Sequence, residues 1–405
     1  MVLNAPPLAL YLHFPWCVRK CPYCDFNSHT LQGELAPQPY LDALLADLAA
    51  QRPLVAGRAI STVFMGGGTP SLFTPEAIGR LLDAVRALLP LEPDAEITLE
   101  ANPGTIERGR FAEYRAAGIN RVSLGAQSFD PAILERLGRI HSADDTRAAV
   151  AELHAAGLDN FNLDLMYALP GQDLAGALSD LRSALALSPA HLSHYQLTLE
   201  PGTVFGGRPP AGLPDEDLAA RMQEHCQAEL AGAGFRHYEV SAYARNGATC
   251  AHNLNYWRFG DYLGVGAGAH GKLTDPDSGR IVRTLREREP RRYLAHGAGG
   301  TPVTTPVPVA DLPFEFMMNA LRLTDGFDSA LYVSRTGLPF SGVAAHLEHL
   351  RERELLAVSG DSWRPTVLGQ RFLNDLIGHF LPETPGETGD SPARTLRKFP
   401  EGPVA

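Results

Sequence analysis

The chain has 405 residues, is 44% hydrophobic and carries a formal net charge of -11, which allows a large buried core and one big unit with a smaller one or two beside it. The acid excess and scattered arginines argue against a nucleic-acid or membrane-surface partner, since phosphate binding wants a net basic face. No run of about 18 apolar residues is present to span a bilayer. The start, MVLNAPPLAL, lacks the basic and apolar regions of a signal peptide, so a cytoplasmic protein with a small-molecule or protein partner is expected. In that compartment thiols stay reduced, and the five cysteines read as ligands, reactive groups or packing residues, not as a disulfide framework.

In chain order, the first β-rich run is LALYLHF (Leu8 to Phe14). It leads into the loop PWCVRKCPYCDFNSH, where Cys17, Cys21 and Cys24 stand at CxxxCxxC spacing. A helix is expected over Pro39 to Ala50. The strand STVFM (Ser61 to Met65) follows and runs into Gly66-Gly67-Gly68-Thr69-Pro70. After a helix over Pro75 to Leu89, the strand EITLEA (Glu96 to Ala101) brings Glu100, then Asn102-Pro103-Gly104. A helix over Ile106 to Ala117 precedes RVSLGA (Arg121 to Ala126), which delivers Gln127. Next come a helix over Ala143 to Ala156, the strand FNLDLM (Phe161 to Met166) with Asp164, and a helix over Leu174 to Leu187. The sixth strand, LSHYQLTL (Leu192 to Leu199), closes at Glu200-Pro201-Gly202-Thr203.

Strand and helix alternating through short loops means parallel βαβ units. Six of them can wind as a barrel or as an open doubly wound sheet, and either way ligands sit beyond the carboxyl ends of the strands. The thiol, glycine-rich and polar residues fall at that one rim.

Past Glu239 the stretch from Ser241 to Leu273 is aromatic and glycine-rich without a helical period, and reads as loop and short strand packed across the barrel. From Pro313 to about Leu381 the pattern is helical again, with FEFMMNALRL, VAAHLEHLRERELL, a short hairpin and a final helix TVLGQRFLNDLIGHFL, consistent with a compact winged-helix-like unit. The organisation expected is therefore a barrel over 1–240, a connecting segment over 241–310, a helical C-terminal domain over 311–381 and a disordered tail over 382–405, rich in Pro, Gly and charge.

A structural zinc site wants four ligands, commonly two CxxC-like pairs. Only Cys21 and Cys24 make such a pair, and Cys226 and Cys250 are distant. Three thiolates suit an iron-sulfur cluster in which one iron is left open to another ligand.

These phrases together resemble the radical S-adenosylmethionine (SAM) superfamily, an α/β fold built as a (β/α)6 partial barrel. More narrowly, PWCVRKCPYCDFNSH, GGGTPSLF, EANPGT, LGRIH and HNLNYWRFGDY resemble the branch containing oxygen-independent coproporphyrinogen III dehydrogenase and a haem chaperone related to it. The resemblance runs from about Leu8 to Leu381. It implies a [4Fe-4S] cluster on Cys17, Cys21 and Cys24, with SAM on the open iron. It also implies SAM contacts from Tyr11, Gly67, Gly68, Thr69, Glu100, Gln127, Arg139 and Asp164.

Each of these residues has a plainer reading. A GGG turn is a tight connection, Glu100 could cap a helix, Asp164 could be a buried strand-end carboxylate and Arg139 could lie on the surface.

Two departures separate the members of the branch. In the dehydrogenase another cysteine follows the cluster motif two residues on, where this chain has Phe26, and a long N-terminal extension covers its active site, where this chain has ten residues before Tyr11. The resemblance to the chaperone carries a haem-ligand role to His252 in HNLNYW, an imidazole beside Tyr256 and Trp257. Its plainer reading is a hydrogen-bonded packing histidine, and His194 and His270 are weaker candidates.

The expected function is a haem chaperone that passes haem to an unidentified acceptor apoprotein. A flavodoxin-like electron donor is a further possible partner. The alternatives are the dehydrogenase itself and a cluster-bearing protein without turnover.

Overall fold

The structure is a computed structural model that describes residues 3–55, 57–104, 109–295 and 302–382. Six parallel strands come first: β1 (Leu8–Phe14), β2 (Ile60–Gly67), β3 (Leu91–Ala101), β4 (Arg121–Gln127), β5 (Phe161–Tyr167) and β6 (His191–Gln196). The helices between them include α1 (Pro37–Gln51), α2 (Pro75–Leu88), α3 (Phe111–Ala117), α4 (Ala143–Ala155) and α5 (Leu174–Ala186). Each strand adds to the edge of the one before, and the whole sheet continues through β7 (Arg236–Glu239), β8 (Ala242–Ala244), β9 (Asp261–Val265), β10 (His270–Asp275), β11 (Arg280–Leu285) and β12 (Val303–Pro306). Its order is β12-β11-β10-β9-β1-β2-β3-β4-β5-β6-β8-β7. The linear order makes an open, partial barrel.

Alternation within the strands sorts side chains between two faces. Leu10 and Leu12 of β1, Val63 and Met65 of β2, Leu99 of β3, Val122 and Leu124 of β4 and Leu163 of β5 join the helices in the main core. Their neighbours in sequence, among them Glu100, Ser123, Asn162 and His191, make one register row across β3, β4, β5 and β6 on the opposite, interior face. The helix ends are set locally. Thr74 caps α2 through Ala77 N, and Ser142 with Asp145 forms a capping box at α4.

The remainder of the chain adds α6 (Glu216–Gly232), α7 (Ala251–Trp257), α8 (Leu312–Ala320), α9 (Ser329–Thr336), α10 (Ser341–Glu352), α11 (Val367–Arg371) and α12 (Leu373–Gly378). A small sheet of Phe327–Asp328, Ser362–Pro365 and Leu356–Ser359 accompanies the last helices, giving helices with a hairpin wing around their own apolar cluster. This unit is tied to the barrel by Thr324 N donating to Tyr238 O at 3.1 Å, by Arg322 on Glu239 at 3.2 Å and by Arg371 on Glu224.

Three expectations differ from what is observed. HNLNYW is a helix, α7, and DYLGV is a seventh parallel strand, β9, paired with β1. In α7 the buried face is carried by His252, Asn255 and Tyr256, whose polar and aromatic side chains write no apolar period, and in β9 every residue is buried, which removes the alternation of a two-faced strand. The final helix is broken at Phe372, whose φ of -108° and ψ of 38° separate α11 from α12. Residues 106–108 of the expected third-unit helix and 383–405 of the tail lie outside the described residues.

Candidate functional site

The carboxyl ends of the strands open into a cavity of about 1030 Å3. Cys17, Cys21 and Cys24 line it together with Gly67, Gly68, Thr69, Glu100, Gln127, Arg139 and Asp164. Tyr11 and His252 are not among its lining residues.

The cysteine loop is held from several sides. His29 N donates to Pro15 O at 2.7 Å and Leu31 N to Cys17 O at 2.8 Å, closing the loop on itself. Lys20 Nζ donates to the carbonyls of Phe26 and Ser28 at 2.9 and 3.0 Å. Burial pushes the Cys17 thiol up to about 11, against a hydrogen bond from Thr69, and the neighbouring Cys24 and Cys21 add to the rise. Burial also raises the Cys24 thiol. Without a cation these thiols keep their protons, whereas a metal centre deprotonates its thiol ligands outright. Among the described residues, no three His, Cys, Asp or Glu side chains gather as they would around a single ion. A cubane places each cysteine on a different iron, so three thiols spread along one loop and facing one cavity fit it.

Two glycines bring backbone to this wall because no other residue would fit. Gly67 has φ +113°, and a Cβ there would meet the ring of His13. A Cβ on Gly68 would lie 2.6 Å from Trp16 O and 2.8 Å from Phe14 O, while Gly68 N donates to Phe14 O at 2.6 Å. Beside them, Asn102 Nδ2 donates to Thr69 Oγ1 at 3.0 Å.

The polar wall is a connected network. Gly67 N donates to Glu100 Oε2 at 3.0 Å. Asn162 Nδ2 and Ser123 Oγ donate to Asp164 at 2.7 and 3.3 Å. Gln127 sits at a register shift with φ 67°, and Tyr195 OH donates to its Oε1 at 2.8 Å. Arg139 donates to Asn102 Oδ1 at 2.6 Å, to Gly125 O at 2.7 Å and to Cys21 Sγ at 3.6 Å. Burial, with Asp164 facing it, pushes the Glu100 carboxyl up to about 8 despite the Gly67 N–H. Burial raises Asp164 as well, against its hydrogen bonds from Asn162, Ser193 and Ser123. The wall thus offers carboxyl groups for hydroxyls and a guanidinium for a carboxylate.

Tyr11 stands behind this wall. It is 5% exposed, packs with Phe64, Cys250 and Ala269, and donates its hydroxyl to His13 Nδ1 at 3.0 Å. His13 Nε2 donates to Asn27 O at 2.9 Å, so Tyr11 is linked by hydrogen bonds to the cysteine loop through His13.

His252 lies deeper still, at 0% exposure. Its Nδ1 is 2.8 Å from Thr62 Oγ1, its Nε2 is 2.8 Å from Tyr256 OH, and its ring stacks on Phe64 at 5.0 Å. Glu96 receives Ala251 N at 3.1 Å and His252 N at 3.0 Å. In this conformation His252 offers no free nitrogen to a ligand, and burial lowers its pKa to about 3. The HNLNYW phrase forms the floor of the barrel.

Asn102 of the EANPGT phrase and residues that the motifs did not mark complete the interior: His13, Glu96, Arg121, Asn162 and Tyr195. The signal for several was available as polar residues alternating with apolar ones inside strands, as in Arg121-Val122-Ser123 and Asn162-Leu163-Asp164.

Residues 11–182 match the family model of the Radical SAM superfamily, and residues 307–372 match that of the HemN C-terminal domain. The solved structure of coproporphyrinogen III oxidase (HemN) from Escherichia coli, described as a radical SAM enzyme, superposes with a TM-score of 0.78 over 93% of this chain and 90% of that one. At 23% identity that likeness shows a shared radical SAM fold. "Heme chaperone HemW" of Escherichia coli (strain K12) is 49% identical over 387 residues, covering 94% of this chain and all of the relative, 100%. Its namesake in Haemophilus influenzae is 47% identical over 382 residues, covering 93% of this chain and 99% of the relative. The chain belongs to the HemW family within the radical SAM superfamily. A [4Fe-4S] cluster and SAM are the cofactors this superfamily implies.

Proposed function

We propose that this protein is a haem chaperone, which holds haem as cargo and releases it to an acceptor protein. The observation that supports this reading best is similarity over the whole length to relatives named heme chaperone, 49% with 94% of the chain covered. Phe26, at the position where the dehydrogenase of this branch has a further thiol, points the same way.

Cys17, Cys21 and Cys24 would hold the cluster, which when bound supplies an open iron and an electron. Gly67, Gly68 and Thr69 give the methionine amino end of SAM a close approach to backbone. Arg139 would pair with its carboxylate, and Glu100, Gln127 and Asp164 would take its hydroxyls. Tyr11 is a positioning residue, acting through His13 on the glycine turn and on Asn27 of the cysteine loop. A flavodoxin-type donor is the kind of partner that would reduce such a cluster. The cytoplasm is the compartment we favour, since all five cysteines are free thiols and no helix among the described residues is long and apolar enough to cross a membrane.

The test is an anaerobic haem titration of cluster-reconstituted protein, followed by mixing with apomyoglobin as a haem acceptor. A saturable Soret change at one haem per chain, then transfer, supports the reading. Only unsaturable, non-specific haem uptake would overturn it.

A further inference from the structure

Among the described residues, the two phenylalanines that stand more than a third exposed are Phe26, at 39%, and Phe372, at 50%, and both line the cavity of the cysteine loop. They come from opposite parts of the chain, the cluster loop and the break between α11 and α12. Val18, 41% exposed, and Ile140, 59% exposed, line the same cavity. Large apolar side chains left in water around one opening mark a binding site more often than chance exposure does. Cations accompany them. Arg19 lines the cavity, is exposed and has no ion pair or hydrogen bond among the described residues. Arg371, next to Phe372, lines it too and pairs with Glu224 on α6 in an exposed contact.

A cavity of about 1030 Å3 stands at the upper end of the roughly 300–1,000 Å3 usual for one small-molecule ligand, so the mouth has room for a second ligand beyond the polar wall. Two flat apolar rings fit the face of a planar macrocycle, and arginines fit carboxylates at its edge. His252, by contrast, is outside the cavity with both nitrogens engaged.

Building on the proposed chaperone function, we infer that the cargo haem is seated at the mouth of the cluster cavity, against Phe26, Ile140, Val18 and Phe372, with its propionates toward Arg19 and Arg371. The C-terminal unit thereby forms one wall of the cargo seat, and Phe26 contacts cargo where the dehydrogenase has a thiol.

The experiment compares haem affinity, by Soret titration of the cluster-reconstituted full chain, in wild type, Phe26→Ala, Phe372→Ala, the double variant and Arg19→Gln/Arg371→Gln. Cluster absorbance, SAM binding and the melting temperature are measured alongside. We expect the double phenylalanine variant to bind haem at least tenfold more weakly and the arginine pair several-fold more weakly, with cluster and SAM binding kept. Wild-type affinity in all rim variants would overturn the seat, and so would unchanged affinity with lost transfer to apomyoglobin, which would make the rim a protein-docking surface. If wild type itself binds no haem saturably, the chaperone reading fails; if wild type binds and the rim variants bind equally, only the seat fails.

Discussion

His252 Nδ1 lies 2.8 Å from Thr62 Oγ1, joining α7 to the interior of β2 across 190 positions of sequence. With Tyr256 on the other nitrogen and Glu96 on the helix start, the imidazole is a structural knot in the barrel floor. Replacing it leaves two buried hydroxyls without partners and opens a gap beneath Phe64. His252→Ala should therefore lower stability by about 2–4 kcal/mol, read by urea unfolding. A loss under about 0.5 kcal/mol would show the ring is not structural.

The glycine turn makes a contrasting pair of predictions. Gly68→Ala drives a Cβ into the carbonyls of Trp16 and Phe14, 2.6 and 2.8 Å away, so the strand entering the cysteine loop must shift. Cluster content and SAM affinity should both fall, SAM binding by tenfold or more. Gly79 is in the middle of α2, and a Cβ there meets Ala117 Cβ at an ordinary 3.5 Å. Gly79→Ala should stabilise by about 0.5–1 kcal/mol and leave binding alone. Equal behaviour of the two variants would refute the steric argument.

Burial with Asp164 opposite raises the Glu100 carboxyl from the ordinary 4.5 to about 8. Between those values the folded chain keeps a proton that the unfolded chain has released. Stability from this group is therefore lost as pH rises through that window. Glu100→Gln is neutral throughout, so in the SAM-free protein its stability relative to wild type should climb by a few kcal/mol, on the order of 2–4, from pH 5 to pH 8. A pH-independent difference would mean that Glu100 is ionised in the fold.

The buried histidines act in the other direction. Burial lowers His13, His141 and His194 to about 4 and His252 to about 3. Below their ordinary pKa of 6.5 the unfolded chain binds protons that the folded chain refuses, so stability falls as pH drops from about 6.5 toward 4. Thermal melts across pH 4–7 should show that onset near 6.5 in wild type, and a flat profile from 6.5 down to 5 would contradict it.

Much of the rim was legible because chemistry and strand order coincide there. Cys17, Cys21 and Cys24, Gly67, Gly68 and Thr69, Glu100 and Gln127 fall at or just beyond strand ends, Asp164 lies mid-strand in β5, and all of them line one cavity. Tyr11 and His252 were harder. Both lie on the interior side of the sheet, but depth along a strand is not written in its alternation, and only the register places Tyr11 opposite Phe64, above the floor that His252 seals. The α7 helix was hidden because its buried face is polar and aromatic, His252, Asn255 and Tyr256, and β9 because a strand buried on both faces shows no alternation. Phe372 could not be placed because α11 and α12 read as one continuous helix, and the corner that turns its ring to the cavity is a tertiary feature.

The most direct measurement of the central claim is anaerobic incubation of cluster-reconstituted protein with coproporphyrinogen III, SAM and a reductant, alongside a haem titration of the same preparation. The account predicts a saturable haem site and no protoporphyrinogen beyond a single equivalent. Protoporphyrinogen and 5′-deoxyadenosine accumulating together over many turnovers would contradict it and make this protein a dehydrogenase despite Phe26.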